Sequence, residues 1–365
     1  MRTTRGLSVD GSRSVDAPQG RVDWVDAAKA IAIIMVVFLH TVFNHAGSGV
    51  SGHWGQFVGL LDTFRLPLFF FTAGLFAGRA IRLPLVDLLR TRISHLAWVY
   101  VLWSIVAVVA VLVLPLTGAT DRPVVFSLLL IPVIPTPATW FIWALIVHFV
   151  VAWFAVRIPA AVALGVAAAV SVVFGTGLLT TGSIEIDKTL YNLIFFLLAV
   201  QTSTRLRPMI ASVSIWWAAV AVAAFAAAAA LVAKFALLEV VGVRLALGVL
   251  AVAAGCLAAR AMSGLRVFAW MSVLGRNTLP IYLLHWYVLL VVYAVVNLAF
   301  ADGAGALTDL LAPVMTAVTI AGCLAVHRVT RWIPGVYARP AWLVRVLEPR
   351  KGAVRALESA GIRLG

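Results

Sequence analysis

Lys29 and His40 stand eleven positions apart in one apolar run, Asp26-Ala-Ala-Lys29-Ala-Ile-Ala-Ile-Ile-Met-Val-Val-Phe-Leu-His40. Eleven residues make close to three helical turns, so in a helix both side chains leave one face, about 16 Å apart along the axis. That is roughly half the thickness of a bilayer's hydrocarbon core. Ionisable groups are costly in lipid, usually face the interior of a bundle, and mark a pathway or a reactive site. Asp26, three positions before Lys29, can pair with it near one membrane face. The plainer reading of His40 is a histidine bonded to a neighbouring helix for packing. The lysine aligned with it favours a functional one.

Three further constellations carry polar chemistry. In Asp62-Thr-Phe-Arg65-Leu-Pro67-Leu-Phe-Phe-Phe-Thr-Ala-Gly74, Asp62 and Arg65 share a helix face. They either neutralise each other structurally or present a guanidinium to an anion or a developing oxyanion. The cluster Thr139-Trp140-Phe141-Ile142-Trp143 precedes His148. It reads as an interfacial aromatic belt, with Trp140 as a binding wall the alternative and His148 as a packing histidine. In Leu274-Gly275-Arg276-Asn277-Thr278-Leu-Pro280-Ile-Tyr282-Leu-Leu-His285, Asn277 or Thr278 can cap a helix and Pro280 fits its first turn. Tyr282 and His285 share a face within the inner leaflet, as a structural pair or as part of a site.

The elements that must hold these residues follow from composition. Of 365 residues, 63% are hydrophobic and 12% charged, with mean hydropathy +1.06, whereas soluble proteins carry about 25% charged residues. The fold expected is all-α, a polytopic transmembrane bundle. Ten apolar runs lie at about 27–46, 55–78, 96–116, 138–156, 159–180, 189–203, 210–233, 238–259, 277–300 and 307–327. The sixth is short, and 123–137, with Pro123, Pro132, Pro135 and Pro137, reads as a re-entrant or interfacial piece.

With the N-terminus in the cytoplasm, one side collects Arg79, Arg82, Arg90, Arg92, Arg157, Arg205, Arg207, Arg260, Arg266, Arg276 and both basic termini. The other receives Arg122, Lys188, Lys234 and Arg244 beside several acids. This asymmetry places both termini inside and gives the net charge of +14 a membrane meaning rather than a nucleic-acid one. Residues 1–20 read as a disordered cytoplasmic segment, 21–330 as the membrane domain with an uncleaved first helix, and 331–365 as a basic tail on the anionic inner leaflet. His45 and His53 read as solvated loop residues, Cys256 and Cys323 as packing thiols, and Gly74 with Gly78 as a close-packing pair. No metal-ligand spacing is present.

Taken in order, these stretches resemble the acyltransferase 3 family of integral membrane O-acyltransferases, in which a basic residue precedes a histidine by eleven positions in the first helix. The matching segments are Asp26-x-x-Lys29-x10-His40, Phe64-Arg65-Leu-Pro67 through Gly74, Trp140-Phe141 with Leu145, and Leu274-Gly-Arg-Asn277-Thr278 through Tyr282 and His285. The resemblance runs from about 22 to 330. The family's usual arginine is Lys29 here, which keeps the charge and loses the bidentate fork. In this the chain resembles the branch that includes fucose-acetylating enzymes.

The resemblance implies transfer of an acyl group, commonly acetyl, from acyl-CoA to a hydroxyl on a cell-envelope glycan, glycolipid or peptidoglycan. It implies no tightly bound cofactor, acyl-CoA as donor, membrane lipids as surroundings and a multi-pass protein of the inner (plasma) membrane. A sugar hydroxyl needs a base, and a histidine suits that task. His40 is then the base, or else an acyl carrier. Arg65 steadies the intermediate or anchors the acceptor, oriented by Asp62. Lys29, with Arg79, Arg82, Arg90 and Arg92, attracts the CoA phosphates, and Asp26, Trp140, Asn277, Tyr282 and His285 complete the substrate contacts. A transporter or flippase for a glycan or lipid intermediate is the alternative, since intramembrane charges are expected there too. A non-catalytic membrane subunit is a third.

Overall fold

The first apolar run folds as α1, Asp23–Phe43, and the bundle is built around it. This computed structural model describes residues 23–43, 54–113, 130–300 and 307–347. After α1 come α2 (Trp54–Gly74), the single turns α3 (Gly78–Ile81) and α4 (Leu85–Leu88), a π-turn at Leu89–Ile93, and α5 (Ser94–Val113). Then follow α6 (Trp140–Ala155), α7 (Ala160–Gly175), α8 (Ile184–Ser212), α9 (Ile215–Lys234) and α10 (Val243–Ser263). The short α11 (Trp270–Arg276) leads into α12 (Thr278–Ala299), α13 (Thr308–Thr330) and α14 (Ala341–Leu347).

A helix that is apolar all round is one that is surrounded, and α1 is in contact with α2, α10, α11, α12 and α13. Val25, Ala28, Ala30, Ala32, Ile33 and Val37 are completely buried. Its run of alanines lets neighbouring backbones come close. The closest approach is at Gly275 of α11, where a Cβ would fall 2.0 Å from the Asp26 carbonyl oxygen. Only glycine fits there. The contact fixes the start of α12 against the start of α1.

Each of the ten apolar runs coincides with a helix. Among the described residues, six helices are long and apolar enough to cross a membrane: Trp24–Phe43, Leu85–Val111, Ile215–Lys234, Val243–Ser263, Thr278–Ala299 and Asp309–Thr330. Two more, α6 and α7, are apolar but shorter. Exposed side chains such as Val109, Val166 and Leu298 clothe the outer surface, as a hydrocarbon surround favours.

Several expectations change. The sixth run, read as short, belongs to α8, which has 29 residues. Ser183 caps it by accepting from the Ile186 N–H, and Glu185 and Asp187 occupy its first turn, so polar ends extend it beyond its apolar middle. Gly74 does pack closely, since a Cβ there would meet the Phe196 carbonyl oxygen at 2.5 Å, but Gly78 has open space around it. Asn277 precedes α12 without capping it; its Nδ2 donates to the Val273 carbonyl at 2.8 Å and ties off α11 instead.

Residues 335–339, read as the start of a tail, are held to α5. The indoles of Trp98 and Trp103 donate to the carbonyls of Gly335 (2.7 Å) and Val336 (2.8 Å), and Arg339 donates to the Arg90 carbonyl. The proline-containing stretch at 130–139 is irregular and docks on α5, where the Tyr100 hydroxyl donates to Ile131. The readings for residues 1–20, His45, His53, Pro123 and the tail beyond 347 lie outside the described residues.

Candidate active site

His40 lies in the last turn of α1 with its ring turned inward against α12. The His285 ring is 5.1 Å away, centroid to centroid, and the Trp286 ring 5.4 Å away, edge-on. The backbone here is fixed from two other helices. The Tyr293 hydroxyl of α12 donates towards the carbonyls of His40 (3.0 Å) and Thr41 (2.5 Å). The Thr41 hydroxyl meets that of Thr316 on α13 at 3.2 Å. Half-buried on packed helices, the imidazole is both held and reachable.

His285 has a defined polarity. Its Nδ1 lies 2.6 Å from the Tyr282 carbonyl oxygen, so in the neutral ring Nδ1 carries the proton and Nε2 keeps its lone pair. That Nε2 is buried and has no partner. The Tyr282 hydroxyl points elsewhere and accepts from the Phe141 N–H of α6 at 3.2 Å. The Tyr282 and His285 rings are in contact at 5.9 Å, but their polar atoms bond elsewhere. Although read from the sequence at different depths, the His285 and His40 rings meet. Counting along each run leaves a depth difference of about 7 Å, which helix tilt and two imidazole side chains cover.

Asp62 and Arg65 form an ion pair on α2, with the arginine side chain only 5% exposed. Pro67 removes the helical hydrogen bond that would run back to Thr63, one turn from this pair. Lys188 of α8 joins them, its Nζ 3.6 Å from the second Asp62 oxygen. The charges of Arg65 and Lys188 are close enough to act on the His40 ring. Arg244 of α10 acts on Asp62 in the same way and lies over the Tyr191 ring at 5.6 Å. From the sequence, Lys188 and Arg244 count only as charges on the outer side. The signal for Lys188 was helical phase: Asn192, Phe195 and Ala199, at four, seven and eleven positions further on, are all buried.

At the other end of α1, Lys29 is 3.8 Å from Asp26 and lies over the Phe76 ring at 5.0 Å. The cation gathered beside it is Arg207, over the same ring at 4.9 Å. Of the arginines expected to assist Lys29, Arg92 stacks on Phe149 at 5.2 Å. A shallow cleft of about 350 Å³ beside Arg207 is lined by Ser203, Thr204, Pro208 and Ala211.

Trp140 and Asn277 are not drawn into the histidine group. The Trp140 ring meets Phe141 at 6.2 Å, and it is Phe141 that packs on Phe70 and Tyr282. His148 is fully buried between Phe70 and Phe196, with Nε2 2.9 Å from the Thr189 carbonyl. Cys256 and Cys323 are free and buried, and no metal-binding cluster occurs among the described residues.

The arrangement joins an accessible imidazole, a second imidazole with an open lone pair, and a guanidinium held by a carboxylate. Such a set can take up a proton and steady a negative charge. The family model described as an acyltransferase domain matches residues 22–328, nearly the whole of this helical bundle. No curated protein and no solved structure matches the chain. The chain belongs to the acyltransferase 3 family and is a membrane acyltransferase.

Proposed function

We propose that the protein is an O-acyltransferase that moves an acyl group, acetyl in the first instance, from acyl-CoA to a hydroxyl of a cell-envelope glycan, glycolipid or peptidoglycan in the inner membrane. The observation that carries this reading is the inward-facing His40 ring beside His285, with the Asp62–Arg65 pair within electrostatic reach. His40 takes the proton of the acceptor hydroxyl as that oxygen attacks the thioester carbonyl. Arg65 faces the charge that develops on the carbonyl oxygen. When the tetrahedral intermediate collapses, the new C–O bond stays, the C–S bond breaks, and the CoA thiolate takes the proton from His40.

The lone pair on His285 Nε2 gives the imidazolium form of His40 an acceptor in a dry setting. Lys29 and Arg207, clustered on Phe76 at the far end of α1, suit the phosphates of the donor. Donor and acceptor then approach from opposite ends of one helix, and a lysine at position 29 is what the fucose-acetylating branch would carry.

The test is turnover of labelled acetyl-CoA by the purified, membrane-inserted protein with a sugar acceptor. The reading expects label on the acceptor and release of free CoA. Neither a flippase nor a non-catalytic subunit consumes the thioester, so intact acetyl-CoA after prolonged incubation overturns it.

A further inference from the structure

Three cations surround one carboxylate at the end of the bundle where α1 finishes. Asp62 is paired with Arg65 on one oxygen and with Lys188, 3.6 Å away, on the other, and Arg244 adds its field to the same carboxylate. By formal charge the group carries an excess of two positive charges, three cations against one acid. The acids nearest Lys188 in sequence are engaged locally. Glu185 accepts from the Ser183 hydroxyl at 2.9 Å. Asp187 accepts from the hydroxyls of Thr180 and Thr181 and from the Thr181 N–H, at 2.6 to 2.9 Å.

Fold stability does not account for this excess. Arg244 is the second residue of α10, whose first turn holds no acid, and a cation at a helix N-terminus opposes the macrodipole. Removing charge from water without compensation is costly. Two donors are moreover left over: the Nε atoms of Arg65 and Arg244 are buried and have no partner. Arg65 as a residue is 4% exposed, so bulk water does not reach it. Space has been made for the Arg244 stem at Gly175, where a Cβ would meet its Cδ at 3.2 Å. Asp62 and Lys188 remain 24% exposed, which leaves the group open on one side.

We propose that Lys188 and Arg244, continuous with Arg65 and floored by Tyr191, seat an anionic group carried by the acceptor, a carboxylate or a phosphate. Guanidinium and ammonium groups in partly dry surroundings bind such oxyanions through short charge-assisted hydrogen bonds. Because the charge of Arg65 also reaches His40, an anion held here presents a hydroxyl of the same or the next sugar to the imidazole. The proposal rests on the acyltransferase reading and narrows its acceptor to an acidic glycan or a phosphorylated glycolipid.

The test separates binding from transfer. The full-length protein in nanodiscs of zwitterionic lipid is titrated with octyl glucoside, octyl glucuronide and octyl glucoside 6-phosphate, reading thermal stability and, in parallel, acetylation from labelled acetyl-CoA. One or both anionic sugars are expected to bind at least tenfold more tightly than the neutral one, and which of them does so identifies the anion. The preference is expected to fall to near parity in Lys188→Gln and Arg244→Gln and to survive in Lys188→Arg. Equal binding of charged and neutral sugars by the unaltered protein overturns the proposal, whatever the variants do. So does stabilisation by phosphatidylglycerol alone with no preference among sugars, which assigns the cations to lipid headgroups. Charge-selective binding without acetyl transfer supports the seat and refutes the enzymatic reading; transfer without charge preference does the reverse.

Discussion

His40 and Lys29 stand on one face of one helix, and the structure treats them differently. His40 lies between the rings of His285 and Trp286, with its own carbonyl hydrogen-bonded by Tyr293. Lys29 meets Asp26 at 3.8 Å and lies over Phe76, a ring that is itself 44% exposed. The first side chain is packed against two rings on a tied stretch of backbone; the second is a cation on a partly exposed ring. A reacting imidazole gains from a rigid surround. A group that greets a polyanion arriving from water and releases it after each turnover gains from mobility. The contrast supports a division of labour along α1, with chemistry at its end and donor capture at its start.

The contrast can be broken at the rigid end first. Arg65→Ala removes the guanidinium whose charge reaches His40, and transfer is expected to fall about 100- to 1,000-fold, the usual effect of deleting an oxyanion donor. Single-turnover assays read this directly, and an unchanged rate makes the Asp62–Arg65 pair purely structural. His285→Phe keeps an aromatic ring and removes Nε2. A hydrogen bond to a charged partner contributes about 1.5–3 kcal/mol, so the rate is expected to drop about ten- to a hundredfold with the melting temperature little altered.

Tyr293→Phe sharpens the comparison by loosening the end of α1 without touching either histidine. Loss of its hydroxyl costs about 1 kcal/mol, expected as a lower melting temperature and a rate reduced about fivefold. The smallest effect belongs to the exchangeable end. Lys29→Gln is expected to raise KM for acetyl-CoA about threefold at low ionic strength, with kcat unchanged and the difference fading as salt screens the charge. A loss of kcat instead would place Lys29 in the chemical step and erase the distinction between the two ends.

Much of this architecture was legible in the residues because a membrane helix must satisfy its own backbone and present apolar side chains over its whole length. α1, α9, α12 and α13 announce themselves in that way. α8 did not, because its Ser183 cap, its acidic first turn and the polar stretch around Thr202–Arg205 dilute the hydropathy of a helix of 29 residues. The same dilution hides Lys188, whose place in α8 lies just outside the apolar stretch that begins at 189. His40, Asp62 and Arg65 could be picked out by type and spacing. The placement of His285 beside His40 could not, since it depends on the close contact at Gly275 that sets α11 and α12 against α1. Tyr293 and Arg207 reach their positions through tertiary packing alone, and no local pattern marks either.

The measurement closest to the central claim is acetyl transfer by His40→Ala, purified and inserted as the unaltered protein is. General-base catalysis contributes about 100- to 10,000-fold, so the rate is expected to fall by at least about a hundredfold while acetyl-CoA still binds. Transfer within a few-fold of the unaltered rate contradicts the account and moves the proton acceptor away from α1.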